Sequence, residues 1–260
     1  MQIQSSIIIV TGASAGIGRA TAVSLSQLGA NVILTARRQE RLENLAAELV
    51  PNPGRCLIVP GDIGDPTFAR ELVERTVAEF GRVDVLINNA GVGHKSALAD
   101  MPLADAQTIW NVNVIGLLAA TQAALPHMQR QGYGQIINVS SIVGQRPLPL
   151  SGVYCASKTA VNFLSRSLRM ELRGTGITVT LIYPGLTATE FGEAKLGEPS
   201  ANRLGLRGIP PQHVAAKIVS AIQKNRTEVY ATPVAWVIAH SSRLFPRTLD
   251  WLIARGMKYA

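Results

Sequence analysis

The chain has 260 residues, of which 47% are hydrophobic and 16% charged, a composition that favours a large packed core and excludes a disordered chain. Its formal net charge of +8 would suit an anionic partner, but the basic residues are scattered without a long run, which argues against nucleic-acid binding. Two cysteines, Cys56 and Cys155, are too few for a disulfide framework or a metal cluster, so we expect reduced thiols and no metal site.

The N-terminus lacks a charged signal-peptide region, and the sequence contains no run of about 18 uncharged apolar residues. We therefore expect a cytoplasmic protein without a transmembrane helix.

The first predicted strand, residues 5–11, is a short apolar run that ends in a glycine-rich turn. A helical pattern follows the turn, so the turn joins a buried strand to a helix N-terminus. Gly12 permits the tight turn, Gly16 lets the backbone approach a ligand, and Gly18 lets helix and strand pack closely. Free N–H groups at such a helix start bind a pyrophosphate, although the spacing is GxxxGxG and not the better-known GxGxxG.

The second predicted strand, residues 31–36, ends without an acidic residue and is followed by Arg37 and Arg38. An acid at this place would hold the ribose 2′-hydroxyl of NAD, whereas an arginine would pair with the 2′-phosphate of NADP. The sequence therefore favours NADP(H) over NAD(H), and the alternative is a pair of solvated surface arginines.

Strands and helices alternate along the rest of the chain. After a helix at 39–50, strands are predicted at 55–60, 83–87, 134–141, 176–183 and 228–231, and further helices at 66–80, 103–130, 152–173 and 211–225. The strands are too apolar to be half exposed, which predicts an α/β fold with a doubly wound parallel sheet of about seven strands and helices on both faces. Ligands of such sheets bind at the carboxyl ends of the strands.

Several polar residues fall at those strand ends or on the adjoining helices. Tyr154 and Lys158 lie one turn apart on a predicted helix, where an ammonium could lower the pKa of the phenol. The helix at 103–130 carries Asn111 and Asn113, and two asparagines so close together indicate a local irregularity. The strand at 134–141 ends in the paired serines Ser140 and Ser141.

The last third of the chain holds two unusual segments. Residues 190–209 are polar, contain glycine and follow a strand end, where a flap over a site would lie. The tail from Pro233 mixes apolar residues, including Trp236 and Trp251, with arginines and lysine. Such a tail could be a basic amphipathic helix at a membrane surface, or a helix docked on its own subunit or on a partner.

Taken in order, these motifs resemble the short-chain dehydrogenase/reductase family over nearly the whole chain. The resemblance rests on the turn Thr11-Gly-Ala-Ser-Ala-Gly-Ile-Gly18, Asp62, Asn88-Asn89-Ala90-Gly91, Asn113 in NVIG, Ser141, Tyr154-x-x-x-Lys158 and Pro184-Gly185. It implies a single-domain Rossmann-type fold over residues 1–232, with the flap at 190–209, and a helical extension over residues 233–260. The extension looks like that of relatives acting on lipid-like or steroid-like carbonyls.

The resemblance also implies the site. Its catalytic set would be Asn113, Ser141, Tyr154 and Lys158, with Ser141 preferred to Ser140 because it lies 13 residues before Tyr154. Asn113 is preferred to Asn111 because it begins the NxxG segment. The implied cofactor-binding residues are Gly12, Ser14, Ala15, Gly16, Ile17, Gly18, Arg37, Arg38, Asp62, Ile63, Asn89, Ala90, Gly91, Tyr154, Lys158, Pro184, Gly185, Thr187 and Thr189.

The predicted function is an NADPH-dependent oxidoreductase that interconverts a carbonyl and an alcohol, the substrate being hydrophobic. Its predicted partners are this small molecule, a second or further copy in a homodimer or homotetramer, and a membrane surface contacted through residues 233–260. The alternatives are an NAD-linked alcohol dehydrogenase of the same family and a catalytically silent Rossmann module that senses NADP(H).

Overall fold

The fold is built on one parallel sheet. A computed structural model describes residues 1–192, 196–197 and 208–256. Seven strands lie side by side in the order β3-β2-β1-β4-β6-β7-β9, all parallel. They are β1 (Ile7–Thr11), β2 (Asn31–Thr35), β3 (Cys56–Ile58), β4 (Val85–Asn88), β6 (Gly134–Val139), β7 (Ile177–Tyr183) and β9 (Glu228–Tyr230). Two short strands, β5 (His94–Lys95) and β8 (Leu196–Gly197), pair separately.

Helices cover both faces of the sheet. Side chains alternate along β1, so that Ile8 and Val10 join one core cluster while Ile7 and Ile9 join the other. The first cluster lies under the helices at residues 16–27, 39–49 and 211–224. The second lies under the helices at 66–80 and 117–131 and the end of the helix at 152–171. The helices are α1 (Gly16–Gln27), α2 (Gln39–Leu49), α3 (Pro66–Phe80), α4 (Leu103–Trp110), α5 (Leu117–Gln131), α6 (Gly152–Glu171), α7 (Pro211–Lys224), α8 (Pro233–Leu244) and α9 (Pro246–Gly256).

The doubly wound parallel sheet predicted from the sequence is confirmed, and the main differences concern boundaries. Predicted strand 5–11 begins only at Ile7, and the helix predicted at 103–130 is not continuous. It is divided into α4 and α5 by a π-helical segment, Asn111–Gly116. The two asparagines therefore marked a real irregularity. The segment ends at Gly116, which packs so closely that a Cβ atom there would lie 2.1 Å from the carbonyl oxygen of Ile63.

The stretch Leu103–Gln131 is long and apolar enough to cross a membrane if judged by length and hydropathy alone. More than half of its most apolar window is buried inside the fold, where Ala120, Ala124 and Met128 contact the sheet. The sequence criterion of an uninterrupted apolar run did not find this stretch. Its burial is typical of a core helix.

The tail forms two helices that dock on the body of the chain. Ala235 and Ala239 of α8 are buried. Arg146, itself only 8% exposed, donates to the carbonyl oxygen of Pro246 at 2.9 Å and forms an ion pair with Asp250 of α9. Residues 257–260 of the predicted extension, and most of the predicted flap at 190–209, lie outside the described residues.

Candidate active site

The glycine-rich turn after β1 forms the floor of the site. Gly12 and Gly16 both adopt left-handed backbone conformations, with φ of +67° and +55°. A Cβ atom at Gly12 would lie 2.9 Å from the Cα atom of Ala90, so only glycine fits there. The first turn of α1 has no side-chain cap at Ala15, and its N–H groups lie at the carboxyl end of the sheet. This arrangement fits a bound phosphate group.

Gly18 has a different position from the other turn glycines. A Cβ atom there would lie 2.3 Å from the carbonyl oxygen of Gly12 and 2.5 Å from Nδ2 of Asn89. Gly18 therefore serves helix packing, as its spacing predicted, and does not line the cavity described below.

The segment after β4 holds the glycine turn in place. Nδ2 of Asn89 donates to the carbonyl oxygens of Thr11 and Gly12 at 2.8 and 3.3 Å. In return, Oγ1 of Thr11 accepts from the backbone N–H groups of Asn89 and Ala90. Since β1 and β4 are the neighbours at which the winding of the sheet reverses, this contact lies at the topological switch point.

The two arginines after β2 reach the same edge of the sheet. Both Arg37 and Arg38 are exposed and border the cavity. Nη2 of Arg38 donates to Oγ of Ser14 in the glycine turn at 3.2 Å. A phosphate group bound beside Ser14 would therefore meet a guanidinium group.

Ser141 and Tyr154 lie together in the site, and both line its cavity. Ser141 lies in extended backbone just after β6, and Tyr154 lies in the first turn of α6. Burial raises the pKa of Tyr154 above its ordinary value, and the hydrogen bond with Ser141 opposes that rise. The expectation that Lys158 lowers this pKa is not met in the structure.

The reason lies in the position of the Lys158 ammonium group. It donates to the carbonyl oxygen of Val139 at 2.9 Å, and burial lowers its pKa to about 8. At neutral pH most of the Lys158 population therefore keeps its charge. The group is available as a donor at the end of β6.

Ser140 has a structural position, in contrast to its neighbour. It is 3% exposed, and its hydroxyl donates to Oδ1 of Asn162 at 2.6 Å and to the carbonyl oxygen of Lys158 at 3.3 Å. The geometry therefore favours Ser141 over Ser140 as the hydroxyl that meets a substrate.

Asn113 lies behind the cavity wall, in the π-helical segment. Its amide donates to the carbonyl oxygen of Val92 and to Oγ of Ser157, and its Oδ1 accepts from the N–H of Val92 at 2.8 Å. A Cβ atom on Gly91 would lie 3.3 Å from Oδ1 of Asn113 and 3.5 Å from Nζ of Lys158. Asn113 thus shapes the backbone next to Lys158.

One cavity of about 1980 Å³ joins these groups. It is larger than a typical small-molecule pocket of roughly 300–1,000 Å³, and it has room for a dinucleotide and a second ligand. Ser141 and every predicted cofactor-binding residue except Gly18 line it, whereas Asn113 does not. Its far wall is apolar and includes Leu148, Leu186, Val234, Ile238, Leu249 and Ile253.

Sequence reasoning placed a flap over the site at residues 190–209 but did not identify the contacts that its residues make, and it did not find Arg41. Phe191 packs against Tyr154 with ring centroids 5.6 Å apart. Arg41 and Glu190 form an ion pair beside Arg38, and side chains of α8 and α9 complete the cavity wall. These contacts join residues distant in sequence, so periodicity could not reveal them.

Comparison with known proteins agrees with the geometry. The family model "short chain dehydrogenase" matches residues 6–198. The chain is 37% identical to sulfoacetaldehyde reductase 2 of Chromohalobacter salexigens over 244 residues, which is 89% of this chain and 96% of that protein. It is 35% identical over 200 residues to an uncharacterized oxidoreductase of Staphylococcus epidermidis, covering 75% of this chain and 86% of the relative.

Two solved structures have the same fold. A short-chain dehydrogenase/reductase of Burkholderia phymatum in complex with NAD superposes with a TM-score of 0.87 at 24% identity, covering 96% of each chain. An alcohol dehydrogenase of the archaeon Thermococcus sibiricus complexed with 5-hydroxy-NADP gives a TM-score of 0.77 at 28% identity, covering 86% of this chain and 94% of the other.

Proposed function

Because the chain belongs to the short-chain dehydrogenase/reductase family, and is thus a nicotinamide-dependent oxidoreductase of CH–OH and C=O groups, we propose that it reduces hydrophobic carbonyl compounds with NADPH. One observation carries the proposal. The Ser141–Tyr154 pair, the two arginines after β2 and an apolar wall all border one cavity.

In this reaction the reduced nicotinamide supplies a hydride to the carbonyl carbon. Negative charge then grows on the carbonyl oxygen. The Tyr154 hydroxyl donates a proton to that oxygen, and the Ser141 hydroxyl donates a hydrogen bond to it, as in an oxyanion hole. Both residues line the same cavity, so one carbonyl oxygen bound there could meet both hydroxyls.

Lys158 and Asn113 support this proton transfer. The Lys158 ammonium would bind the ribose hydroxyls beside the nicotinamide. To stabilise the phenolate that Tyr154 becomes, it would have to turn away from the carbonyl oxygen of Val139. Asn113 would hold a water that passes protons to Lys158.

The preference for NADPH is supported by charge at the end of β2. The strand is followed by Arg37 and Arg38 and by no acidic residue, and Arg38 already contacts the glycine turn. A guanidinium group suits the 2′-phosphate because its donors form a rigid fork.

The hydrophobic substrate is supported by the far wall of the cavity. Leu186 and Val234 are 56% and 66% exposed, although both are apolar and border the cavity. An apolar ligand would remove this surface from water, at about 25 cal/mol per Å². The wall belongs partly to α8 and α9, so the tail would take part in substrate binding.

We expect kcat/KM to be at least about tenfold higher with NADPH than with NADH, and to rise along a series of ketones with growing apolar groups, by about threefold or more per buried methylene. Steady-state kinetics with both cofactors would measure this. Sulfoacetaldehyde, named for one relative, serves as the small anionic comparison.

A preference for NADH, with faster alcohol oxidation, would instead favour the NAD-linked dehydrogenase. Tight cofactor binding without turnover of any carbonyl would favour the silent sensor. A preference for sulfoacetaldehyde over every larger ketone would contradict the hydrophobic substrate.

We also propose that the tail contacts an anionic membrane surface. The outer sides of α8 and α9 expose apolar residues, among them Val237, Phe245, Trp251 and Leu252, and Arg255 lies over the Trp251 ring at 5.1 Å. Aromatic and basic residues on one helix face are typical of interfacial helices.

Deleting the tail would remove the buried Ala235 and Ala239 and part of the cavity wall, so point substitutions are the better test. We expect Trp251→Ser/Leu252→Ser to weaken partition onto anionic phospholipid vesicles by about tenfold, because two exposed apolar side chains no longer enter the interface. Sedimentation with vesicles would measure it. The control is Val50→Ser, which alters an exposed apolar residue at the end of α2. Equal partition of all three proteins would contradict a membrane role for the tail.

A further inference from the structure

A carboxylate lies between the arginines at the cofactor end of the cavity. Oε1 and Oε2 of Glu190 accept from Nη1 of Arg41 at 2.9 and 2.6 Å, and Oε2 lies 3.3 Å from Nη1 of Arg38. Arg38 at the same time donates to Ser14 of the glycine turn. Glu190 thus presents an anion to the guanidinium group that is nearest the glycine turn.

The Glu190 carboxylate is held by ion pairs that are exposed enough for another anion to replace it. The hydrogen bonds from Arg41 and Arg38 outweigh the opposing effect of burial and hold the pKa of Glu190 below its ordinary value, so the side chain is charged at neutral pH. Glu190 and both arginines remain between 44% and 48% exposed. Exposed ion pairs of this kind shift an equilibrium by only a factor of roughly 1 to 5.

We propose that Glu190 is a specificity-determining residue whose carboxylate competes with the 2′-phosphate of the cofactor for Arg38 and Arg41. This inference rests on the proposed use of NADPH, and it adds Arg41 to the residues that bind the phosphate. A dianionic phosphate with three acceptor oxygens can contact both guanidinium groups and so displaces the single carboxylate. NAD(H), which has a hydroxyl at this position, cannot.

Glu190 is also next in the chain to a residue at the substrate end of the cavity. Glu190 begins a short 3-10 turn, and the next residue, Phe191, packs its ring against Tyr154. On the other side, Thr189 approaches the glycine turn so closely that a Cβ atom on Gly16 would lie 3.0 Å from it. The three residues therefore connect the phosphate-binding arginines to the proton donor.

The test is the equilibrium binding of two probes, adenosine 2′,5′-bisphosphate and 5′-AMP, which differ only by the 2′-phosphate. Isothermal titration of the full chain gives the dissociation constants. We expect Glu190→Gln to tighten binding of the bisphosphate by about three- to fivefold, because the competing carboxylate and its repulsion are lost. Binding of 5′-AMP should change by less than about twofold.

Two further variants complete the design. Glu48→Gln is the control, because Glu48 forms an equally exposed ion pair with Arg19, and it should change neither constant. Arg41→Gln should weaken binding of the bisphosphate by about tenfold or more and leave binding of 5′-AMP unchanged.

Unchanged or weaker binding of the bisphosphate by Glu190→Gln would overturn the proposal that Glu190 competes with the 2′-phosphate. If the wild type still preferred the bisphosphate to 5′-AMP, the proposed use of NADPH would stand. Conversely, a wild type that does not distinguish the probes would contradict the NADPH preference. In that case tighter binding by Glu190→Gln would still support competition by Glu190.

Discussion

Replacing Tyr154 by phenylalanine is expected to lower kcat for carbonyl reduction by about a thousandfold, because the variant lacks the proton donor. The affinity for NADPH should change by no more than about twofold, since the variant keeps the ring and removes only one hydroxyl. Single-turnover kinetics and equilibrium titration of NADPH separate the two effects. The contact between Tyr154 and Phe191 is a ring contact and should survive the substitution.

The matched control is Tyr133→Phe. The Tyr133 hydroxyl donates to Asp84 at 2.9 Å, near the amino end of the sheet and away from the cavity. Its loss removes the same atom from another tyrosine and should leave kcat within about twofold of the wild type. If Tyr154→Phe retained a tenth or more of the wild-type kcat, the assignment of Tyr154 as proton donor would be wrong.

Replacing Arg38 by serine is the second substitution with a large expected effect. We expect kcat/KM with NADPH to fall by about 10- to 100-fold, because charge-assisted hydrogen bonds to phosphate contribute about 1.5–3 kcal/mol. With NADH, kcat/KM should stay within about twofold. Since Glu190 also pairs with Arg38, the variant loses a contact in the cofactor-free protein as well, which lessens the net loss slightly.

Arg70→Ser is the control for net charge, because Arg70 is an exposed residue of α3 outside the cavity lining. It should leave the ratio of the two cofactors unchanged. An equal loss of kcat/KM with NADPH and NADH in Arg38→Ser would mean that Arg38 stabilises the fold or binds the pyrophosphate. It would then not distinguish a 2′-phosphate from a 2′-hydroxyl.

Local sequence patterns were sufficient to predict the parallel sheet and the glycine-rich turn. Strands such as β1 are buried on both faces, so a short apolar run identifies them without knowledge of their neighbours. The glycines at 12 and 16 are required by backbone conformation, which is again a local property. The irregularity at Asn111 and Asn113 could also be predicted, although the sequence did not show that it takes a π-helical form or that Gly116 approaches the carbonyl of Ile63.

Local sequence patterns could not predict the long-range contacts between side chains around the site. Arg41 and Glu190 are 149 positions apart, and Arg146 and Asp250 are 104 apart. Charge or hydropathy at one position does not say which distant position will meet it. The pKa of Tyr154 shows a second difficulty, because the expected effect of Lys158 depends on where its ammonium points, and in the structure it points to Val139.

The central claim is that this chain transfers a hydride from NADPH to a hydrophobic carbonyl compound. The most direct measurement uses NADPH in which both hydrogens of the transferring carbon of the nicotinamide are replaced by deuterium, an apolar ketone, and mass spectrometry of the product. The account predicts an alcohol with one deuterium on the carbinol carbon, formed by the wild type and about a thousandfold more slowly by Tyr154→Phe. An alcohol without deuterium, or no alcohol from any ketone while NADPH stays tightly bound, would contradict it.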